Sequence, residues 1–196
     1  MLVSMWDITR PIHEQMPAWP GAASPSQRWL ERLRLGDVAD VSEWTLNAHA
    51  GTHLDAPSHF IADAPDLEAF GLDALIGPCT VLPYGDLAAS ERVLIKLPPG
   101  GGLTRGDAQR LLDGGVRLVG VDALSVETEA SVNAGAPVHK LLLAHGVAIL
   151  EDLDLSAVPD GEYTLVALPL RLQHAEASPV RAILLPPSPW PGSTSP

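Results

Sequence analysis

Cysteine, positive charge and long apolar runs are all scarce in this chain of 196 residues. The single cysteine, Cys79, cannot close an internal disulfide, which suits a reducing cytoplasm and makes Cys79 a small buried hydrophobe beside a turn. Twelve lysines and arginines face 24 acids, for a formal net charge of −12. Such a surface repels phosphate backbones and anionic bilayers, and no basic stripe offsets it, so neither nucleic acid nor membrane is expected as a partner. The most apolar stretch, Leu141 to Leu150, is broken by His145 and Gly146 and is too short to span a bilayer. The opening residues, Met1-Leu2-Val3-Ser4-Met5-Trp6-Asp7, carry no basic region and read as no signal peptide, so the expected location is the cytoplasm. No Gly-x-Ser-x-Gly elbow occurs, and Cys79 has no histidine near it in sequence, so serine or cysteine nucleophiles are poor candidates.

Apolar residues make up 46% of the chain, enough for a core, while 17 glycines and 19 prolines demand many turns and argue against a helical bundle. Strands are predicted at Trp6–Thr9, Trp29–Leu35, Trp44–Ala48, Thr80–Leu82, Arg92–Leu97, Val116–Val121, Val147–Leu150, Tyr163–Leu168 and Val180–Leu185. Helices are predicted at Asp66–Phe70, after the N-cap Thr104 up to Gly114-Gly115, and from Pro137 to Ala144 with Gly146 as its stop. This is the α/β class, in one domain over residues 1–185, followed by a proline-rich tail over 186–196. Trp6, Trp29, Trp44 and Trp190 read as packing or interface residues.

Chemistry concentrates in one segment, His49-Ala50-Gly51-Thr52-His53-Leu54-Asp55-Ala56-Pro57-Ser58-His59-Phe60. Three of the seven histidines fall within eleven residues, where even spacing would put about 0.4. Imidazole and carboxylate together are the donors that zinc prefers and that manganese or iron accept. A straight strand would hold His49 and His53 roughly 13 Å apart, too far for one ion. Gly51, the β-branched Thr52 and Pro57 oppose a helix. The backbone is therefore expected to bend at Ala50-Gly51-Thr52, with Gly51 supplying the bend and, through its missing side chain, room for an ion.

These residues, His49-x-Gly51-Thr52-His53-x-Asp55-x-Pro57-x-His59-Phe60, resemble the signature of the cyclase family of metal-dependent hydrolases, which includes bacterial kynurenine formamidases and isatin hydrolases. The likeness extends to Asp7-Ile8-Thr9-Arg10-Pro11-Ile12, Trp19-Pro20-Gly21, the run from Gly120 to Glu127, Val138-His139-Lys140, Ile149-Leu150-Glu151, Ala167-Leu168-Pro169-Leu170 and Ser178-Pro179-Val180-Arg181-Ala182. The resemblance implies a single swivelling β/β/α-type domain with a mixed sheet. It also implies a homodimer or homotetramer in which a neighbouring chain helps close the pocket. It assigns His49, His53 and Asp55 to a first metal. A second would be held by Asp55, His139 and Glu151, with Glu151 shared by both ions. His59 would be the proton donor and acceptor, and Trp19 would line the substrate pocket.

The implied activity is metal-dependent hydrolysis of small amides or cyclic amides and esters, with aryl formamide of the N-formylkynurenine type as the leading substrate and zinc as the leading metal, manganese being the other candidate. An ion so held lowers the pKa of water to about 7, and an imidazole beside it suits proton transfer to a leaving amine. Two other readings compete: an enzyme of the same family that opens or closes another ring, and a non-catalytic metal-stabilised binding protein. His59 opposes the last, since a purely structural site has no use for a spare imidazole. His174 reads as an exposed loop histidine, with a substrate contact as its alternative.

Overall fold

In the computed structural model, which describes residues 5–87 and 90–187, apolar residues of the central strands alternate between two separate cores. Strand β6 (Arg92–Lys96) sends Leu94 to one core and Val93 and Ile95 to the other. In β7 (Leu118–Val121) Leu118 joins the first core while Val119 and Val121 join the second, and in β8 (Ala148–Glu151) Leu150 and Ile149 divide in the same way. Strands covered on both faces read as near-continuous Val/Ile/Leu runs, as these do.

The sheet closes on itself. With β4 (His53–Asp55), β5 (Ile76–Pro83), β9 (Gly161–Pro169) and β10 (Ala177–Leu185), the hydrogen-bonded order is β10-β4-β8-β7-β6-β5-β9 and back to β10, a seven-strand barrel to which β1 (Trp6–Asp7) is added on β10. The pairs β5–β6, β6–β7 and β7–β8 are parallel and the rest antiparallel, which makes the sheet mixed. Leu54, Leu94, Leu118, Leu150, Leu165, Ala182 and Leu184 fill the interior. Gly120 lets the interior pack closely: a Cβ would stand 2.5 Å from Leu94 Cδ2 and 2.8 Å from Leu153 Cδ1, so any larger residue must displace both leucines. Outside, α2 (Arg105–Asp113) and α4 (Pro137–Ala144) cover the parallel strands with Ala108, Leu111, Val138, Leu142 and Leu143. This is the single α/β domain with a mixed sheet that the sequence led us to expect.

Several boundaries differ from expectation, for local reasons. The segment from Trp29 does not stay extended to Leu35: β2 (Ser26–Glu31) gives way to a 3-10 turn at Leu33–Leu35. There the carboxylates of Asp37 and Asp40 accept from the Arg32 and Leu33 amides, an alternative to ladder pairing. Strand β3 (Val41–Thr45) stops before Leu46, and Asn47 then begins a turn whose side chain accepts from His49 N at 2.8 Å. Asp66–Phe70 is a 3-10 turn over Leu67–Ala69 rather than an α-helix, with Asp66 accepting from Glu68 N. A short helix α1 (Leu72–Leu75) and a second, α3 (Glu129–Asn133), have no counterpart in the sequence reading, although Thr128 caps α3 as a serine or threonine should. Thr104 and Asp107 form a full capping box on α2, and α4 has the expected bounds. Strands β2 and β3 pair only with each other, as a ribbon apart from the barrel. Residues 188–196, including Trp190 and most of the proline-rich tail, lie outside the described residues. Among the described residues no helix is long and apolar enough to cross a membrane.

Candidate active site

The register of β4 against β8 builds the site. Leu54 pairs with Leu150 inside the barrel, so His53 and Asp55 project from the opposite face, and His53 stands directly across from Glu151. That face is covered by the first turn of α4, which carries His139. Before β4 the chain turns through Gly51 at φ 67°, bringing His49 back over Asp55 with Nδ1 3.0 Å from Oδ1. The glycine serves the bend as expected, but its bare side faces Met16 Cε and Ile12 Cγ1, at 3.2 and 3.3 Å from a built Cβ. The room it makes is filled by the N-terminal loop and not left for an ion. After β4, Pro57 opens a 3-10 turn that presents His59, its ring centroid 4.1 Å from that of His49.

His49, His53, His59, His139, Glu151 and Trp19 all line one cavity of about 340 Å³, with Asp55 buried at its edge. Met16, Pro17, Ala18 and Phe60 form much of its apolar wall. All seven residues singled out in the sequence thus meet. Their donor atoms group as His49, Asp55 and His59 on one side and His53, Asp55 and Glu151 on the other, each set within 4.8 Å. His139 Nε2 lies 3.0 Å from Glu151 Oε1 and 3.9 Å from Asp55 Oδ2. This division runs differently from the two sets the resemblance implied. His174 is exposed, 3.4 Å from Asp66, and does not line the cavity.

The donor atoms fit a cation. His53 Nδ1 is 2.7 Å from the Gly51 carbonyl, an oxygen that can only accept, so Nδ1 carries the hydrogen and Nε2 turns its lone pair toward Glu151 Oε2 at 3.4 Å and Asp55 Oδ1 at 3.5 Å. Nε2 of His53 and both oxygens of Asp55 are buried without any hydrogen-bond partner, since the His49 approach is out of line. Lone pairs facing carboxylates in a buried site are an arrangement that positive charge must complete. With protons alone available, burial pushes the His53 imidazole down, but Glu151 and Asp55 outweigh it and draw it up to about 9. Burial acts the same way on His139, where Glu127 and Glu151 prevail and raise it to about 10. Glu151 is held well below the usual carboxylate range, its burial overcome by His139 and His53. A divalent cation among these atoms would replace those protons. His59 differs: burial, with help from His49 and His139, holds it below its ordinary value against Asp55.

Residues 6–97 match the family described as "Putative cyclase". A kynurenine formamidase of Paracidovorax citrulli is 36% identical over 212 residues, spanning 94% of this chain and 97% of that protein. The chain belongs to the cyclase family. Another kynurenine formamidase, from Delftia acidovorans, is 35% identical over 204 residues, 92% of this chain and 96% of the relative. The solved "predicted metal-dependent hydrolase from Bacillus stearothermophilus" superposes with a TM-score of 0.80 at 29% identity over 94% of this chain and 99% of that one. Isatin hydrolase A from Labrenzia aggregata shares the fold, with a TM-score of 0.78 at 20% identity over 94% of each chain.

In this cyclase-family chain the structure adds residues that the sequence reading gave no role. Glu127 accepts from His139 Nδ1 at 2.7 Å, and the Val126 amide donates to Glu151 Oε1 at 2.7 Å. Asp152, in the left-handed region at φ 54°, pairs with Arg10 Nε at 2.8 Å, while its carbonyl accepts from Thr52 Oγ1 at 2.6 Å. Arg10, Thr52 and Glu127 stand in stretches that carry the family likeness, but only the fold shows what each of them touches.

Proposed function

We propose that this cyclase-family chain is a metal-dependent hydrolase of a carbon–nitrogen bond other than a peptide bond in a small aryl amide, with an N-formylkynurenine-type formamide as the leading substrate. One observation carries the reading: the imidazoles of His53 and His139 converge with the carboxylates of Asp55 and Glu151 beside an apolar cavity. Kynurenine formamidases matched along nearly their whole length support the choice of formamide. His49, His53, Asp55, His139 and Glu151 would hold one or two divalent cations, zinc being best suited to this nitrogen and oxygen donor set and manganese the alternative. When bound, such a cation polarises a carbonyl and acidifies water at neutral pH.

The chain's own residues do the rest. Trp19, Met16 and Phe60 offer an aryl ring an apolar wall and exclude water from the reacting end. His59, half-buried beside His49 and within reach of Asp55, is placed to carry a proton to the departing amine. Its presence favours an enzyme over a binding protein held together by metal, because such a site would need no unused imidazole.

The ribbon of β2 and β3 supports a homo-oligomer. Trp29 and Trp44 share one face of it, 42% and 43% exposed, and Val38 at its tip is 96% exposed. A two-stranded ribbon is marginal alone and gains stability by packing its apolar side chains, and a second copy of the chain offers the same surface in return.

The test is turnover by protein loaded with zinc or manganese, assayed on formanilide, N-formylkynurenine and a lactone. Metal-dependent release of formate from the formamides is expected. Cleavage of the lactone alone would replace the amide reading with the ring-opening one, and no turnover of any of the three would overturn the hydrolase.

A further inference from the structure

Helix α4 starts without a capping side chain of its own. Its N-cap, Ala136, has φ 52° and no side-chain acceptor, so the amides of the first turn need one from elsewhere. They find it in Glu127. Its Oε1 accepts from Val138 N at 3.2 Å, His139 N at 3.0 Å and His139 Nδ1 at 2.7 Å, while Oε2 accepts from Ser131 Oγ. Glu127 is 1% exposed, held at the positive end of the helix that carries the histidine it touches.

We propose that Glu127 is a positioning residue for the metal centre: it fixes His139 with its hydrogen on Nδ1 and Nε2 turned toward Glu151 and Asp55. A carboxylate oxygen can only accept here, so one tautomer of His139 is selected, and the two backbone bonds prevent the carboxylate from rotating away. Carboxylate–histidine pairs of this kind orient a ligating ring and raise its basicity, and their loss typically costs 10–100-fold in metal affinity. Glu127 therefore joins two tasks, capping α4 and aiming His139, and these separate under mutation. The inference rests on the metal-centre reading above.

The experiment measures zinc affinity by chelator competition, alongside thermal unfolding of the metal-free protein, for wild type, Glu127→Gln and Glu127→Ala. A glutamine carbonyl still accepts from the two amides and from Nδ1, but without charge, so Glu127→Gln is expected to keep its melting temperature close to wild type and to lose about tenfold in zinc affinity. Glu127→Ala is expected to lose up to about 100-fold and to melt earlier. In the zinc-loaded protein, nitrogen NMR should find His139 protonated at Nδ1 in wild type. Wild-type zinc affinity in both variants, whatever the change in melting, would reduce Glu127 to a helix cap and overturn the proposal. Failure of wild type itself to bind zinc or manganese would instead overturn the metal centre, and Glu127's role with it.

Discussion

His53 and Glu151 face each other across the antiparallel pair β4–β8, with Nε2 3.4 Å from Oε2 and no hydrogen bond between them. Here the Gly51 carbonyl takes the Nδ1 hydrogen of His53 and the Val126 amide holds Oε1 of Glu151, so both groups are held for a third participant.

Removing a ligand and removing the proton carrier should therefore have different signatures. His53→Ala is expected to abolish stoichiometric metal on elemental analysis together with formamide hydrolysis. His59→Ala is expected to retain metal and lose about 10²–10⁴-fold in kcat. Full activity in His59→Ala would remove His59 from the reaction.

The capping box of α2 makes a pH-dependent contribution to stability. Burial pushes the Asp107 carboxyl up, but hydrogen bonds from Thr104, Arg110 and Tyr84 outweigh it and leave the group below its ordinary value. A depressed carboxyl stabilises the fold above the unfolded value of about 3.9, and that contribution disappears as pH falls through the folded value. Asp107→Asn should cost about 1–2 kcal/mol in urea unfolding at pH 7, with the gap to wild type closing in acid. A gap that is constant with pH would show that packing, not charge, is what the substitution disturbs.

Cys79 is 2% exposed, and burial pushes its thiol up to about 12, so almost no thiolate exists near neutrality. A disulfide reagent should label it only after unfolding, and Cys79→Ala should keep formamide turnover within about twofold of wild type. Rapid labelling of the folded protein would contradict the burial.

Trp29 and Trp44 test the oligomer. Replacing both with serine should shift the mass measured by light scattering toward the monomer while leaving the far-ultraviolet circular dichroism of the barrel unchanged. Retention of the wild-type mass would move the interface elsewhere.

Much of this protein could be read before folding was considered. The spacing of His49, His53, Asp55 and His59 with Gly51 and Pro57 called for a bent segment, because no regular element could bring those groups together. Thr104, Gly114, Pro137 and Gly146 marked two helices through local capping and φ preferences, which depend on near neighbours alone. The β2 boundary departs from the alternation because side chains of Asp37 and Asp40 compete with the ladder, a contact that alternation does not reveal.

Local chemistry, then, picked out the candidate donor groups and where the chain turns, since those depend on residue type and immediate sequence. Closure of the barrel, the facing of His53 and Glu151, and the reach of Glu127 across to His139 were decided only by tertiary structure. Each depends on strand register or on a helix docking against the sheet, and a pairing partner far along the chain leaves no periodic trace in the sequence that precedes it.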